Sequence, residues 1–342
     1  MADMPQAIPI PDKPPLHLRS GYLVIAVPED PVEACFAAPA IRALRNGRPH
    51  ATIAIATPAS LVPLWERELR IDFIVPYAEN ASVKMITAAL EGTNVEFESS
   101  IAWEASKVSK AFAKLKIQQR FGYRRNKLTS QLNEPLDFTQ PFGPPLHRVR
   151  YYMSLVEKLG IEAMIPANFK TPSLPPRPQV PTIAIAPGSE FGSAYRWPLD
   201  RFAEVAQLLR NSKLDVVILG QGTAAPEAQE LAERLGPDVT FIPDSTDLTP
   251  VLETLASCSV LLSNDGVLPH FAAHLGLPST VIFGPGNPEV RRPLGRIHST
   301  LNAHSACSPC SMAKCPLDHR CMNDLTVEHV SAELAKLIVQ QS

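Results

Sequence analysis

No stretch of the 342 residues approaches the roughly 18 to 20 consecutive apolar residues that a membrane-spanning helix requires, and the chain therefore predicts no transmembrane segment. It also lacks an excess of either charge. The 32 Lys and Arg residues against 34 Asp and Glu leave a formal charge of −2, which gives no general field for nucleic acid or anionic lipid and leaves only local basic patches. No strand-to-helix junction carries Gly-x-Gly-x-x-Gly, which argues against a dinucleotide oxidoreductase or an epimerase. The N-terminus has no apolar core of the signal-peptide kind, so the protein is expected in the cytoplasm. Proline is plentiful instead. Five prolines before Leu16 can sustain neither helix nor ladder, and residues 1–17 are expected to be a disordered tail.

Beyond that tail, short apolar runs alternate with helical patterns, twice over. Gly21–Val27, Thr52–Thr57, Asp72–Val75 and Val95–Phe97 read as buried strands. Helices are expected at Pro31–Asn46, Ala81–Leu90, Trp103–Leu115 and His147–Leu159. Pro166–Pro181 holds six prolines in sixteen residues and suits an extended spacer. The pattern then restarts with strands at Thr182–Ala186, Asp215–Leu219, Val239–Ile242, Val260–Leu262 and Thr280–Phe283. The intervening helices fall near Asp200–Arg210, Glu227–Leu235, Leu248–Ala256 and Phe271–Leu275. The expected fold class is α/β, with two Rossmann-like doubly wound domains, 18–165 and 182–342, facing one another across a cleft and joined by a linker at 166–181.

The segment from Leu261 to Pro285 bears most directly on function. An apolar strand ending in Ser263-Asn264-Asp265 delivers a carboxylate to the carboxyl edge of a sheet. The following short helix, just beyond His270, aims its first amides at the same place, a natural seat for phosphate. A nucleotide-bearing ligand is the expectation.

Several strings together resemble bacterial glycosyltransferase family 9, whose best-known members are the ADP-heptose:lipopolysaccharide heptosyltransferases. They are Pro187–Phe202 with Arg196-Trp197-Pro198 inside it, Asn264-Asp265 with His270 five residues on, Phe283-Gly284-Pro285, and Cys307-x-x-Cys310 followed by Cys315-Pro316 and Cys321-Met322. Ala38–Leu44 is similar to the family's first helix, and Arg120–Tyr123 and His147 fall at familiar places, so the likeness runs over about residues 21–335. The resemblance implies a GT-B fold, with the acceptor on the first domain and a nucleotide-sugar, most simply an ADP-sugar, on the second. It further implies inversion at the anomeric carbon without a metal or other cofactor.

Such chemistry needs a base for the acceptor hydroxyl. Counted back from Pro39, Glu33 occupies the place of the family's Asp base, in the first turn of a helix where a glutamate also favours the dipole. A departing diphosphate needs oriented amides and positive charge. The residues expected to hold the donor are Gly188, Ser189, Arg196, Ser263, Asp265, Gly266 and His270, with Glu227 accepting from a ribose hydroxyl. Trp197 and His274 read as packing residues. The chain departs from the family where the site is expected: Tyr195 replaces the usual Lys, Gly266-Val267 replaces Thr/Ser-Gly, and Val27–Val32 lacks a glycine. These departures leave open a changed donor, or a non-catalytic member that binds nucleotide or glycan without turnover.

Cys307, Cys310, Cys315 and Cys321, with His304 and His319 nearby, suffice by count for a structural metal, but their spacing is not that of two C-x-x-C knuckles. They read as a structural staple in one loop. Lys107, Lys110, Lys114, Lys116, Arg120, Arg124, Arg125 and Lys127 form a basic region of the first domain. It is either a solvated face or a contact for a lipid-linked acceptor at the inner membrane. No nucleic-acid partner is expected.

Overall fold

The computed structural model describes residues 18–19, 21–68, 70–139, 143–172, 174 and 179–341, so the expected tail at 1–17 lies outside the described residues. The first half contains β1 (Tyr22–Ala26), α1 (Pro31–Gly47), β2 (Thr52–Pro58), α2 (Val62–Trp65), β3 (Phe73–Tyr77), α3 (Val83–Glu91), β4 (Ser99–Ala102), α4 (Lys107–Lys114), β5 (Gln119–Tyr123), β6 (Glu134–Leu136) and α5 (Val149–Lys158). The second contains β7 (Thr182–Ala186), α6 (Leu199–Asn211), β8 (Asp215–Leu219), α7 (Ala225–Leu235), β9 (Thr240–Ile242), α8 (Thr249–Ser257) and β10 (Val260–Asn264). It continues through α9 (Leu268–Leu275), β11 (Ser279–Phe283), α10 (Pro288–Arg291), β12 (Ser299–Asn302), α11 (Arg320–Asn323) and α12 (Val327–Gln341).

Each half builds one parallel six-stranded sheet. The orders are β3-β2-β1-β4-β5-β6 and β12-β11-β10-β7-β8-β9, the same winding run twice. In a doubly wound sheet the crevice opens where strand order reverses, between β1 and β4 and again between β7 and β10. The loops after those four strands are therefore the ones that face the cleft.

Helix α1 shows how local sequence sets this up. Asp30 caps it, accepting from the amides of Val32 and Glu33 at 2.9 Å each, and Pro31 enters its first turn. Its alanines at 34, 37, 38, 40 and 43 are all buried, which lets α5 approach closely. Arg42, only 3% exposed, is tolerated because its Nε donates to Glu68 at 2.7 Å.

The halves share one apolar core. Phe36, Leu64 and Trp65 of the first domain belong to the same cluster as Leu252, Leu268, Phe271 and Leu275 of the second. His274 donates from Nε2 to the Leu64 carbonyl at 3.2 Å and sets its ring edge-on to Trp65. A second contact joins α5 to α10: the Arg148 amide donates to the Val290 carbonyl at 2.9 Å, and His147 Nε2 donates to the Arg292 carbonyl at 2.8 Å. Because Nδ1 of His147 accepts from the Val149 amide, that imidazole is neutral in this arrangement.

Three expectations are corrected, and three strands had not been expected. Val95–Phe97 is not a strand; the strand is Ser99–Ala102, whose two serines hid it from an apolar count. The helix expected from Trp103 begins at Lys107, because Ser106 caps it in a reciprocal box with Ser109. The mixed-polarity strands β5, β6 and β12 carry no apolar run of their own. The spacer at 166–181 opens on a docked 3-10 turn, Pro166–Phe169, in which Asn168 is fully buried and donates to the Ala163 carbonyl at 2.7 Å. Proline forbids a ladder there but not contact: Phe169 and Leu174 pack against the core. Residues 173 and 175–178 lie outside the described residues.

Burial lowers the His274 pKa from 6.5 to about 3, aided by the Arg42 charge, and lowers that of His298 to about 4. The unfolded chain binds these protons near pH 6.5 and the folded one does not, so their stability contribution is complete above that pH and declines as pH falls. Tm should therefore drop between pH 7 and 5. In His274→Gln the slope over that window should shrink by up to about 1.4 kcal/mol per pH unit, one proton's worth. An unchanged slope in thermal melts would exclude His274 as the source.

Candidate functional site

The loops at the two switch points converge. From the second sheet, Pro187–Glu190 follows β7 and Asp265–Val267 follows β10. Asn264, fully buried, latches them together: its Nδ2 donates to the Pro187 carbonyl at 2.5 Å, and its Oδ1 accepts from the Trp197 amide at 3.1 Å. Ser189 adds a second latch, its Oγ donating to the Asp265 carbonyl at 2.6 Å. Ser263 Oγ donates to the Asn264 carbonyl at 2.8 Å. Both hydroxyls expected to meet phosphate are thus engaged in holding the loops. Gly188 also serves packing, since a Cβ there would stand 2.2 Å from the Ala224 carbonyl oxygen.

Asp265 is the exception to this mutual satisfaction. It is 1% exposed, and neither carboxylate oxygen has a hydrogen-bond partner among the described residues. Burial pushes its pKa up to about 7, against the opposing pull of Arg291. Gly286 makes room for it, because a Cβ there would lie 2.2 Å from Oδ2. Glu190, which the sequence did not single out, accepts the Val267 amide at 3.1 Å beside the start of α9, and burial raises its pKa as well.

Two cavities flank this junction. One, of about 850 Å³, lies between the domains and is rimmed by Glu29, Glu79, Glu190, Asp244 and Asp247, with Gln221, Leu248 and Phe271. The other, of about 540 Å³, is lined by Phe191, Tyr195, Gly286, Asn287, Val290, Arg291 and the Pro309–Ser311 segment. Both fall in the size range of small-molecule sites.

On the first domain Glu33 is fixed from two directions. Arg148 Nε bonds its two oxygens at 2.9 and 2.8 Å, and the Tyr152 hydroxyl donates to Oε2. Arg148 also lies over the Tyr151 ring, 4.3 Å from its centre. A carboxylate offers about four acceptor positions. Three are occupied here, leaving one on Oε1 open.

Three expected donor contacts are placed differently. His270 is 1% exposed and meets Phe36 edge-on at 4.9 Å, within the domain seam, so it is a packing residue in this arrangement. Arg196 and Glu227 bind one another, and Arg196 Nη2 also donates to the Ser189 carbonyl at 3.3 Å. Each was expected to face ligand and instead neutralises the other beneath the loop. Gly266 remains at the head of α9, beside Glu190. Arg148, Tyr152, Glu190 and Arg291 went unnoticed in the sequence because their significance is purely spatial; Arg291 sits in a polar stretch with no motif.

All four loop cysteines are free thiols, Cys307 and Cys310 exposed and Cys321 buried. Burial raises the Cys321 pKa, and the nearness of Cys307, Cys310 and Cys315 adds to it. Among the described residues no group of three or more His, Cys, Asp or Glu side chains is placed to hold a metal. The loop is stapled by backbone instead, the amides of Cys310 and Ser311 donating to the Pro285 carbonyl at 3.1 and 2.9 Å.

Comparison with known proteins fits this geometry. A profile described as "Glycosyltransferase family 9 (heptosyltransferase)" matches residues 94–320. Lipooligosaccharide heptosyltransferase 2 of Campylobacter jejuni is 29% identical over 244 residues, covering 67% of this chain and 70% of that protein. Among solved structures, E. coli ADP-heptose lps heptosyltransferase II superposes with a TM-score of 0.76 at 23% identity, covering 94% of this chain and 99% of that one. A family 9 glycosyl transferase from Veillonella parvula gives a TM-score of 0.81 at 16% identity over 96% and 100%. Likeness at these identities establishes the two-domain GT-B fold.

The orphaned carboxylate at 265 yields a stability signature. The folded protein holds the Asp265 proton up to about pH 7 while the unfolded chain releases it near 3.8, so stability falls as pH rises between those values. Asp265→Asn keeps the shape without the ionisation. It should be more stable than the parent at pH 8, by several degrees in Tm, with the advantage vanishing near pH 4. Equal Tm values at pH 8 would show that Asp265 is already satisfied.

Proposed function

The chain belongs to glycosyltransferase family 9, and from that premise we propose that it transfers a heptose or a related sugar from an ADP-sugar to a lipopolysaccharide-core or similar glycan acceptor, with inversion and without a metal. Two carboxylates support the reading: Glu33 in the first turn of α1, oriented by Arg148 and Tyr152, and Asp265 at the end of β10, buried without a hydrogen-bond donor among the described residues.

Glu33 takes the proton. Arg148 and Tyr152 keep it oriented, and its free position on Oε1 receives the acceptor hydroxyl. As that proton moves to Glu33, the acceptor oxygen forms a bond to the anomeric carbon from the face opposite the diphosphate. The bond from that carbon to the leaving oxygen breaks, and its electron pair departs with the nucleoside diphosphate. Asp265 accepts hydrogen bonds from sugar hydroxyls, which supply the donors its buried oxygens lack. The larger cavity takes the nucleoside, where Glu190 and Asp244 stand as acceptors for ribose hydroxyls.

Acceptor binding falls to the first domain. Lys107, Lys110 and Lys114 stand exposed along α4, where anionic lipid headgroups or phosphorylated sugars at the cytoplasmic membrane face would meet them. Among the described residues no helix is long and apolar enough to cross a membrane.

The test is turnover of ADP-heptose with a lipopolysaccharide-core acceptor, followed by release of ADP and the mass gain of the acceptor. Glu33→Gln should lower kcat by about 10² to 10⁴ while leaving the KM for the donor near its parent value. Full activity in that variant removes Glu33 as base. Failure of the parent to turn over ADP-heptose, with transfer from another nucleotide-sugar, would reassign the donor.

A further inference from the structure

Arg291 lines the smaller cavity and Asp265 lies buried near it, yet the two make no ion pair within 4.0 Å among the described residues. Asp265 lies beside Gly286 and Tyr195, which line that cavity. A guanidinium needing anionic oxygens thus lines a space of about 540 Å³, and a carboxylate without donors lies just behind its Gly286 wall. A single bound group with hydroxyls at one end and an anionic oxygen at the other completes both. A sugar phosphate is such a group.

The other arginine near these loops cannot take this part as it stands. Arg196 is tied to Glu227 and to the Ser189 carbonyl, whereas Arg291 makes no ion pair among the described residues. Arg291 is nevertheless held in place. Its guanidinium carbon lies 4.1 Å from the centre of the Phe191 ring, a stacked arrangement that orients the planar fork without using its donors. Its two neighbours in sequence are gripped by the first domain, Val290 by the Arg148 amide and Arg292 by His147. Arg148 is also the residue that orients Glu33, so the contact that presents Arg291 is continuous with the one that positions the base.

We propose that Arg291 is the cation that binds the diphosphate of the donor and stabilises it as it leaves, presented to the cleft by closure of α5 onto α10. This rests on the donor reading given above. It fills a need left by Tyr195, which brings no positive charge to this cavity. Charge develops on the leaving oxygen as the glycosidic bond breaks, and a fixed guanidinium aimed there acts where it is worth most. Arginine suits the role because its fork spans two phosphate oxygens.

The experiment compares calorimetric binding of ADP and of adenosine to the parent, Arg291→Gln and Arg291→Lys, each checked for an unchanged thermal melt. The parent should prefer ADP. In Arg291→Gln that preference should fall by about ten-fold or more, as expected for loss of a charge-assisted hydrogen bond, with adenosine affinity within about two-fold of the parent. Arg291→Lys should recover part of it. With ADP-heptose as donor, kcat of Arg291→Gln should drop by about 10² to 10³. An undiminished preference for ADP, or equal weakening of ADP and adenosine, overturns the assignment. If the parent binds no ADP at all, the donor reading itself falls and the assignment falls with it.

Discussion

The apolar seam between the domains is the constraint from which the rest follows. Helices α1 and α2 on one side and α8 and α9 on the other contribute to a single buried cluster, so neither domain completes its core alone. Burying these faces brings the carboxyl ends of two sheets, and only those ends, to within the reach of one substrate. Three histidines lie in this seam. His270 meets Phe36, which in turn meets His147, and His274 meets Trp65, so imidazoles expected to be ligand and bystander both belong to the closure surface. Their depressed pKa values record how dry that surface is.

Around the seam the polar groups divide into those that satisfy one another and those that do not. Asn264, Ser189 and Ser263 are bonded within the second domain's loops, and Arg196 pairs with Glu227, although Arg196 Nε and Glu227 Oε2 have no partner among the described residues. Asp265 and Arg291 are left over. Leaving a buried carboxylate without donors is unfavourable by an amount comparable to a lost hydrogen bond or more, and such strain persists where binding relieves it. The mirror arrangement holds on the first domain, where Glu33 is bonded on three of its positions and open on the fourth. The chain thus carries one oriented glutamate on the first domain and one buried carboxylate without donors on the second.

Much of the architecture was legible in the chain. The strands from β1 through β3 and from β7 through β11 are short apolar runs flanked by amphipathic helices, and their alternation allows little besides two doubly wound sheets. Where hydrophobicity was diluted the reading failed: Ser99 and Ser100 masked β4, and Gln119 and Arg120 masked β5, although the two serines pair with β1 on one side and with Gln119 and Arg120 on the other. The Pro-rich stretch at 166–181 misled in the opposite direction, since proline content reports on backbone hydrogen bonding and not on burial. Asn168 shows the difference, a fully buried amide in a segment expected to be a spacer.

The candidate site divides along the same line. Sequence by itself determined the kind of fold, the carboxylate at the end of β10, the glutamate in the first turn of α1 and the glycosyltransferase family, because each of these depends on neighbours only a few residues away. Only the tertiary structure decided that Arg148 and Tyr152 hold Glu33 across 115 and 119 residues of chain. It also decided that Arg196 and Glu227 cancel and that Arg291 stands by an unpartnered Asp265. Local periodicity and caps are properties of a segment, whereas whether a charge is satisfied depends on what the folded chain places beside it, and that information exists only once the two sheets have closed on one another.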